Sequence, residues 1–149
     1  MKTVTLNFTK YSIILVLIFT VQIVSAQDLP DISICKTINS EQTIQNKEYT
    51  IVLISKAGCN YSTEAIDELT LLADIDNLSI IIYEFGDLST IKFLHEDFFE
   101  YFPFVHADDY TFYENNFSPT VYLYKNSELV YDFEGWGRRS LRKLEKKIK

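Results

Sequence analysis

Cysteine is scarce in this chain, which has only two cysteines among 149 residues. Two are too few for a small domain held together by several disulfides, and too few for a zinc site built only from thiolates. Histidine, with two residues, and tryptophan, with one, are equally sparse. Few side chains are therefore available for chemistry, but two cysteines are enough for one redox centre.

Positive charge is also in short supply, since 14 Lys and Arg stand against 21 Asp and Glu. The net charge of -7 argues against a partner that is a nucleic acid or an anionic membrane surface. The charge is unevenly placed: residues 27–137 hold five basic and 20 acidic residues, whereas seven basic residues lie within 138–149. We therefore expect an acidic body and a basic last helix whose outer face is solvated.

The first 26 residues have the features of an export signal. Lys2 and Lys10 supply positive charge, an apolar run covers 11–24, and small residues follow as a cleavage site. The run is shorter than the roughly 20 residues of a membrane-spanning helix. We predict that 1–26 is a signal peptide and that the protein is periplasmic or extracellular. The alternative is an uncleaved anchor, which would be its only membrane contact and would hold it outside the cytoplasm.

Residues 27–149 have the length and composition of one α/β domain, in which 27–48 form a polar N-terminal extension. Near-continuous β-branched and aromatic runs over 49–55 and 79–85 are typical of strands buried on both faces. Apolar residues at helical spacing follow each run and predict a helix there. The second helix is expected to end at Pro103 and to bury one stripe, made of Ile91, Leu94, Phe98 and Phe102.

The last third of the chain predicts a hairpin and a final helix. Residues 104–117 are aromatic without a clear period and leave room for a short helix. Alternating residues over 120–124 and 129–133 predict two antiparallel strands joined by a short turn. Ser140 is predicted to cap the final helix. The predicted order of elements is therefore β-α-β-α-β-β-α.

Three segments combine a cysteine at a strand-to-helix junction with a proline directly before a later strand. The first is SKAGCNYSTEAIDEL, which contains Cys59; the second is SIIIYEFGD; the third is NNFSPTVYLYKNSELVYDFEGW, which contains Pro119. Together they resemble the thioredoxin-like family, and most closely its exported thiol–disulfide oxidoreductases. The resemblance covers residues 45–149. It implies a three-layer α/β fold with a mixed central sheet, protein thiols or disulfides as partners, and no cofactor or metal.

The resemblance implies a site made of Cys59, Ser62, Ser118 and Pro119. The family's active-site turn is usually Cys-x-x-Cys, but here it reads CNYS, and Gly58 stands where a tryptophan often precedes the first cysteine. A helix N-terminus favours the thiolate of Cys59, which would be the nucleophile, and Ser62 would donate a hydrogen bond to its sulfur. A cis bond before Pro119 would bring the backbone of Ser118 close to the sulfur as a substrate contact.

Cys35 has three alternative roles. It could resolve a mixed disulfide on Cys59, form a permanent bridge to Cys59, or be a small buried thiol in an edge strand. Spacing along the chain does not decide, because a bridge requires Cα atoms about 4.4–6.8 Å apart. The resulting hypothesis is monothiol thiol–disulfide exchange through Cys59. The alternative is a thioredoxin-fold protein-binding module that has lost catalysis.

Three further titratable residues are weaker candidates. His95 and His106 have no spacing that is typical of a metal site, so structural or solvated roles are expected for them. Glu84 lies near the end of the second predicted strand and is expected to face solvent. A role for Glu84 as a buried proton carrier near Cys59 is the alternative.

Overall fold

A computed structural model describes residues 37–39, 44–45, 47–107 and 119–148. Residues 1–26, Cys35 and Ser118 lie outside the described residues, so the predictions on them stay predictions. In the described ranges, no helix has both the length and the apolar character needed to cross a membrane. The strands are β1 (Tyr49–Lys56), β2 (Leu78–Phe85), β3 (Phe104–His106), β4 (Thr120–Lys125) and β5 (Glu128–Glu134). The helices are α1 (Asn60–Leu69), α2 (Leu88–His95) and α3 (Ser140–Glu145), with short 3-10 turns at Thr70–Leu72 and Glu96–Phe98.

The five strands form one mixed sheet in the order β3-β2-β1-β4-β5. β1, β2 and β3 are parallel, whereas β4 runs antiparallel to β1 and β5 antiparallel to β4. The central strand β1 is covered on both faces, because the side chains over 51–54 have no exposed surface. The predicted α/β architecture with a mixed central sheet is therefore confirmed.

One face of the sheet holds a core shared with the helices. Ile51 and Leu53 of β1 pack in the same cluster as Ile66 of α1 and Leu144 of α3. Each fully buried side chain of this size contributes roughly 1.5–3 kcal/mol to folding. At the end of α2, His95 stacks on Phe104 of β3, which belongs to the same cluster.

The single tryptophan joins this core to the site helix. Trp136, in the loop between β5 and α3, is 5% exposed and belongs to the same apolar cluster. Its indole Nε1 donates a hydrogen bond to Oε2 of Glu68 on α1, at 3.0 Å. The loop after the hairpin is thereby tied to the C-terminal half of α1.

The prediction missed β3, which lies in the aromatic stretch that left room only for a short helix. β3 pairs with β2 in parallel, with Phe104 opposite Ile82, and Thr37 forms an antiparallel bridge to Val105 on its other side. A strand of three residues has too few positions to show a period of two. The edge strand considered around Cys35 is represented in the described residues by that one bridge.

Two local predictions were wrong. Ser140 is the first residue of α3 and not its cap; Arg139 occupies the cap position, and Ser140 Oγ accepts a hydrogen bond from Gly137 N at 3.1 Å. Leu94 of α2 was placed on the buried stripe, but it is 38% exposed. Within α2 the buried positions are Ile91 and His95, four residues apart, and Leu94 lies to the side of that line; the helix also ends at His95 and not at Pro103.

The β4–β5 hairpin turns through Asn126 and Ser127, whose φ angles are +49° and +69°. Two central residues with positive φ indicate a type I′ turn, for which Asn-Gly is the favoured pair. Ser127→Gly should raise the free energy of unfolding by about 0.5–1 kcal/mol in urea denaturation, because it removes a left-handed serine. Ser127→Ala is the matched control and should not stabilise. Equal stability of the two variants would contradict the turn assignment.

Candidate functional site

Cys59 lies where β1 passes into α1. The backbone N–H of Cys59 donates to the carbonyl of Lys56 at 3.0 Å and closes a tight turn. Gly58 within that turn has φ +81°, a conformation that favours glycine, which gives a physical reason for glycine where the resembling family often has tryptophan. Cys59 itself has extended backbone, with φ -84° and ψ 117°, and is the N-cap residue of α1. The predicted position of the cysteine at a helix N-terminus is therefore the one observed.

Cys59 directly precedes the first turn of α1, which contains no acidic side chain. A helix N-terminus favours the thiolate form of a cysteine in general, and the nucleophilic role of Cys59 stays a prediction. Cys59 is half-buried. The neighbouring Tyr61 is 62% exposed. The cysteine is therefore partly accessible, and an exposed aromatic side chain follows it two residues later in the sequence.

Ser62 is fully buried beneath this turn. Its Oγ accepts a hydrogen bond from the backbone N–H of Lys56 at 3.3 Å, which ties the end of β1 to the first turn of α1. The predicted hydrogen bond from the Ser62 hydroxyl to the Cys59 sulfur stays a prediction. The contact with Lys56 was not apparent from the sequence, because it depends on how sharply the chain turns between residues 56 and 62.

Pro119 lies at the same end of the sheet as Cys59. The last residue pair between β1 and antiparallel β4 is Ile54 with Thr120, so Pro119 comes directly beyond it, beside the end of β1. Pro119 is buried, and its carbonyl accepts a hydrogen bond from Gly135 N at 2.7 Å. Proline has no N–H and suits the start of a strand. The strand register therefore brings Pro119 to the edge where Cys59 lies.

The end of β2 adds a second turn to this edge. The carbonyl of Phe85 accepts a hydrogen bond from Ala57 N at 2.9 Å, which joins the Cys59 turn to the residues after β2. Gly86 follows with φ +141°, and a Cβ at Gly86 would lie only 2.8 Å from Ala57 Cβ. Asp87 then caps α2, since its carboxylate accepts a hydrogen bond from Thr90 N at 3.1 Å. The hydrogen bond from the Ser89 side chain is the main cause that holds the pKa of Asp87 below its usual value.

A buried ionisable pair lies at the end of β2, and it overturns one expectation. Glu84 was expected to face solvent but has no exposed surface, because α2 and β3 cover this end of the strand. Its Oε1 lies 3.2 Å from Nε2 of His95, which is also fully buried. His95 is therefore an interior residue. His106 is half-buried, with Nε2 2.8 Å from the carbonyl oxygen of Gly86.

The described residues line a cavity that is separate from the predicted site residues. A cavity of about 580 Å³ opens beside the C-terminal end of α1, and it is lined by Asp67, Thr70, Glu96, Asp97, Phe98, Glu100 and Tyr101. None of these is a predicted site residue. Across the described ranges, no group of three or more His, Cys, Asp or Glu is arranged to hold a metal ion.

Comparison with known proteins gives structural likeness without sequence likeness. No protein-family model matches the chain, and no curated protein matches it. A thiol:disulfide interchange protein DsbE from Chlorobium tepidum superimposes with a TM-score of 0.60 at 10% identity, over 68% of this chain and 78% of that one. A secreted Mycobacterium tuberculosis disulfide oxidoreductase gives 0.61 at 12% identity, over 76% and 92%. The thioredoxin domain of a Bacteroides vulgatus thiol-disulfide oxidoreductase gives 0.56 at 19% identity, over 69% and 81%.

These likenesses establish the fold. The chain has a thioredoxin-like fold, which confirms the predicted fold class. At such low identity the superpositions do not extend to activity, which depends on the site and not on the fold. The superpositions concern the fold and do not bear on the Cys-x-x-Ser turn, which is seen in this sequence. Function is therefore argued from Cys59 and its surroundings.

Proposed function

We propose that this protein exchanges thiols and disulfides outside the cytoplasm, with Cys59 as its single nucleophile. The observation that carries the proposal is the position of Cys59 as N-cap of α1, with buried Ser62 three residues later in a thioredoxin-like fold. A thiol at a helix N-terminus is activated as a thiolate, and Ser62 occupies the place of a second cysteine. Cys59 could therefore capture a partner, but the motif contains no second thiol that could release it.

The chemistry consists of two exchanges. The Cys59 thiolate attacks one sulfur of a partner disulfide, a new disulfide forms with Cys59, and the partner's own S–S bond breaks. The leaving sulfur departs as a thiolate and takes a proton from solvent. Because Ser62 cannot attack sulfur, a second thiol must attack the mixed disulfide and restore Cys59. That thiol is an external small or protein thiol, or Cys35.

The roles of the other site residues follow from their positions. Ser62 would donate its hydroxyl proton to the Cys59 thiolate while its oxygen accepts from Lys56 N. Pro119 lies at the edge of the sheet beside the end of β1, where an extended partner chain could meet the backbone of Ser118. Cys35 remains either a resolving thiol or a structural one in this proposal.

Export forms part of the same proposal. The signal segment 1–26 would direct the chain out of the cytoplasm, with an uncleaved anchor as the alternative, and 27–149 would be the mature thioredoxin-like domain. One structural neighbour is a secreted disulfide oxidoreductase, which supports this location. Disulfides persist in such compartments, so substrates would be present there.

One observation favours the binding module as a second candidate. Tyr61, two residues after Cys59 in the first turn of α1, presents 62% of its surface to solvent. Exposed tyrosines are enriched at protein interfaces. A protein that had lost catalysis could still use this ring and the adjacent sheet edge to hold a partner.

A capture experiment tests the proposal. The full chain is incubated with a peptide that contains one disulfide, and the products are identified by mass spectrometry without reduction. We expect a peptide adduct on Cys59 that is lost in Cys59→Ala and retained in the matched Cys35→Ala variant. The exchange proposal fails if Cys59 forms no adduct and is alkylated like an ordinary thiol with a pKa of about 8.5. Partner binding that survives in Cys59→Ala would favour the binding module.

A further inference from the structure

We propose that Glu84 and His95 are positioning residues for the Cys59 turn, and that they make the turn sensitive to acid by sharing one buried proton. The inference rests on the proposed function only in taking Cys59 as the reactive group. In the described ranges, Glu84 and His95 form the one contact between two ionisable side chains that are both fully buried. We assign a role to that contact.

Glu84 and His95 have no close polar partner except each other among the described residues. Oε1 of Glu84 and Nε2 of His95 are 3.2 Å apart, and none of the carboxylate oxygens or ring nitrogens has a directed hydrogen bond within the described ranges. The His95 ring stacks on Phe104, with centroids 5.8 Å apart and planes 22° apart. Ser55 lies opposite Glu84 in the sheet and is also buried, with no hydrogen bond to its Oγ in the same ranges. The surroundings therefore compensate a net charge poorly.

Charge balance then requires one proton on the pair. With one proton, the two groups are either both neutral or oppositely charged, and no net charge is buried. Without it, a carboxylate remains beside a neutral imidazole; with a second proton, an imidazolium remains beside a neutral acid. Either change leaves an unpaired charge with no exposed surface, which proteins avoid by moving the group to water.

The backbone connects this pair to the Cys59 turn. Glu84 precedes Phe85, whose carbonyl accepts the hydrogen bond from Ala57 N, and the carbonyl of Glu84 itself accepts one from Ala107 N. For the Glu84 side chain to reach water, the end of β2 would have to move away from the residues that follow β1 and β3. Loss of the Ala57 contact would free the turn that holds Cys59.

The other titratable groups on the packed elements are better placed to reach water. On α2 and the following 3-10 turn, Lys92, Glu96 and Asp97 are exposed. On β3, His106 is half-buried and lies against the carbonyl of Gly86. Cys59 on the β1–α1 turn is half-buried. Their charges can be solvated when they titrate, so the buried pair is the group whose proton count moves the backbone.

The test compares the reactivity of Cys59 in two full-length proteins, both in a Cys35→Ala background. One has the native pair, and the other carries Glu84→Leu with His95→Phe, which replaces both partners by apolar side chains. Dipyridyl disulfide is the probe, because it reacts with thiols in acid. The ratio of the two rates cancels the ordinary effect of pH on the thiol. We expect the ratio of the native rate to the double-variant rate to rise about threefold or more from neutral pH into acid, because a second proton on the native pair leaves an unpaired buried charge.

Conservative single variants and hydrogen exchange complete the test. Measured against the same double variant, Glu84→Gln leaves His95 able to take up a proton without a carboxylate beside it and should keep the rise of the rate ratio in acid. His95→Gln leaves a lone buried carboxylate that acid neutralises and should reverse the direction of the change. If the double variant does not fold, amide exchange of residues 54–59 in the native chain is measured relative to 128–134. We expect the relative exchange of 54–59 to rise in acid. A pH-independent rate ratio or constant relative exchange would overturn the proposal.

The outcome is separate from that of the proposed function. A rate ratio that depends on pH in a protein that captures no disulfide peptide would support the positioning pair and reject the exchange activity. Efficient peptide capture with a rate ratio that does not change with pH would reject the pair and leave the exchange activity standing.

Discussion

A Ser62→Cys variant should release a captured disulfide partner about a hundredfold faster than the native chain at the same low concentration of external thiol. Ser62 lies three residues after Cys59 in the first turn of α1, and Cα atoms at this helical spacing are about 5 Å apart. That separation is compatible with a disulfide. A thiol at 62 would attack the mixed disulfide from within the protein, form a bond to Cys59 and expel the partner as a thiol.

Release is measured by quenching preformed mixed disulfides with acid at successive times and separating them without reduction. Ser62→Ala is the matched control, because it removes the hydroxyl without adding a thiol. It should leave release slow and should lower stability by about 1 kcal/mol through loss of the hydrogen bond from Lys56. If Ser62→Cys released the partner no faster than Ser62→Ala, the geometry proposed for monothiol capture would be wrong.

Gly86→Ala should lower the free energy of unfolding by about 3 kcal/mol or more, the largest single-site effect that we expect in the fold. Two causes act together at this position. The backbone has φ +141°, which side chains rarely adopt, and the new Cβ would lie 2.8 Å from Ala57 Cβ. The clash pushes on the residue whose N–H bonds Phe85, so the Cys59 turn would also be displaced.

Two other glycines separate backbone strain from the clash. Gly58 and Gly135 have φ of +81° and +75°, but a Cβ at either would meet nothing within 4 Å. Alanine at these positions should cost only about 1–2 kcal/mol in urea denaturation. In an Ala57→Gly background, Gly86→Ala should recover the part of its cost that is due to the clash. A cost for Gly86→Ala no greater than that for Gly135→Ala would contradict the close approach of the two turns.

The strands β1, β2, β4 and β5 could be predicted from the sequence, whereas β3 could not, and the difference has a physical reason. β1 and β2 are eight residues long and buried along nearly their whole length, so their apolar composition alone identifies them. The hairpin strands alternate and enclose a short turn, which is an equally local signal. β3 has three residues and exists because it pairs with β2 and bridges Thr37. Its stability comes from residues distant in sequence, and no local pattern reports that.

The site shows the same division. The position of Cys59 followed from the end of a strand, a glycine and the start of a helical period, all within about ten residues. The burial of Glu84 did not, because a carboxylate at a strand end is usually solvated. It is covered only because the chain continues through α2 and returns as β3, which brings His95 within 3.2 Å. The burial of a polar residue at the end of an apolar run can therefore be predicted only if the position of the following segment is known.

The hydrogen bond between Trp136 and Glu68 gives the protein an intrinsic optical reporter. The chain has one tryptophan, and its indole is 5% exposed while it donates to a carboxylate on α1. Its emission wavelength and quenching will therefore respond to any tilt or separation of α1 from the loop after β5. Movement of α1, the helix capped by Cys59, can be followed in real time in the unlabelled protein, because no second tryptophan contributes to the signal.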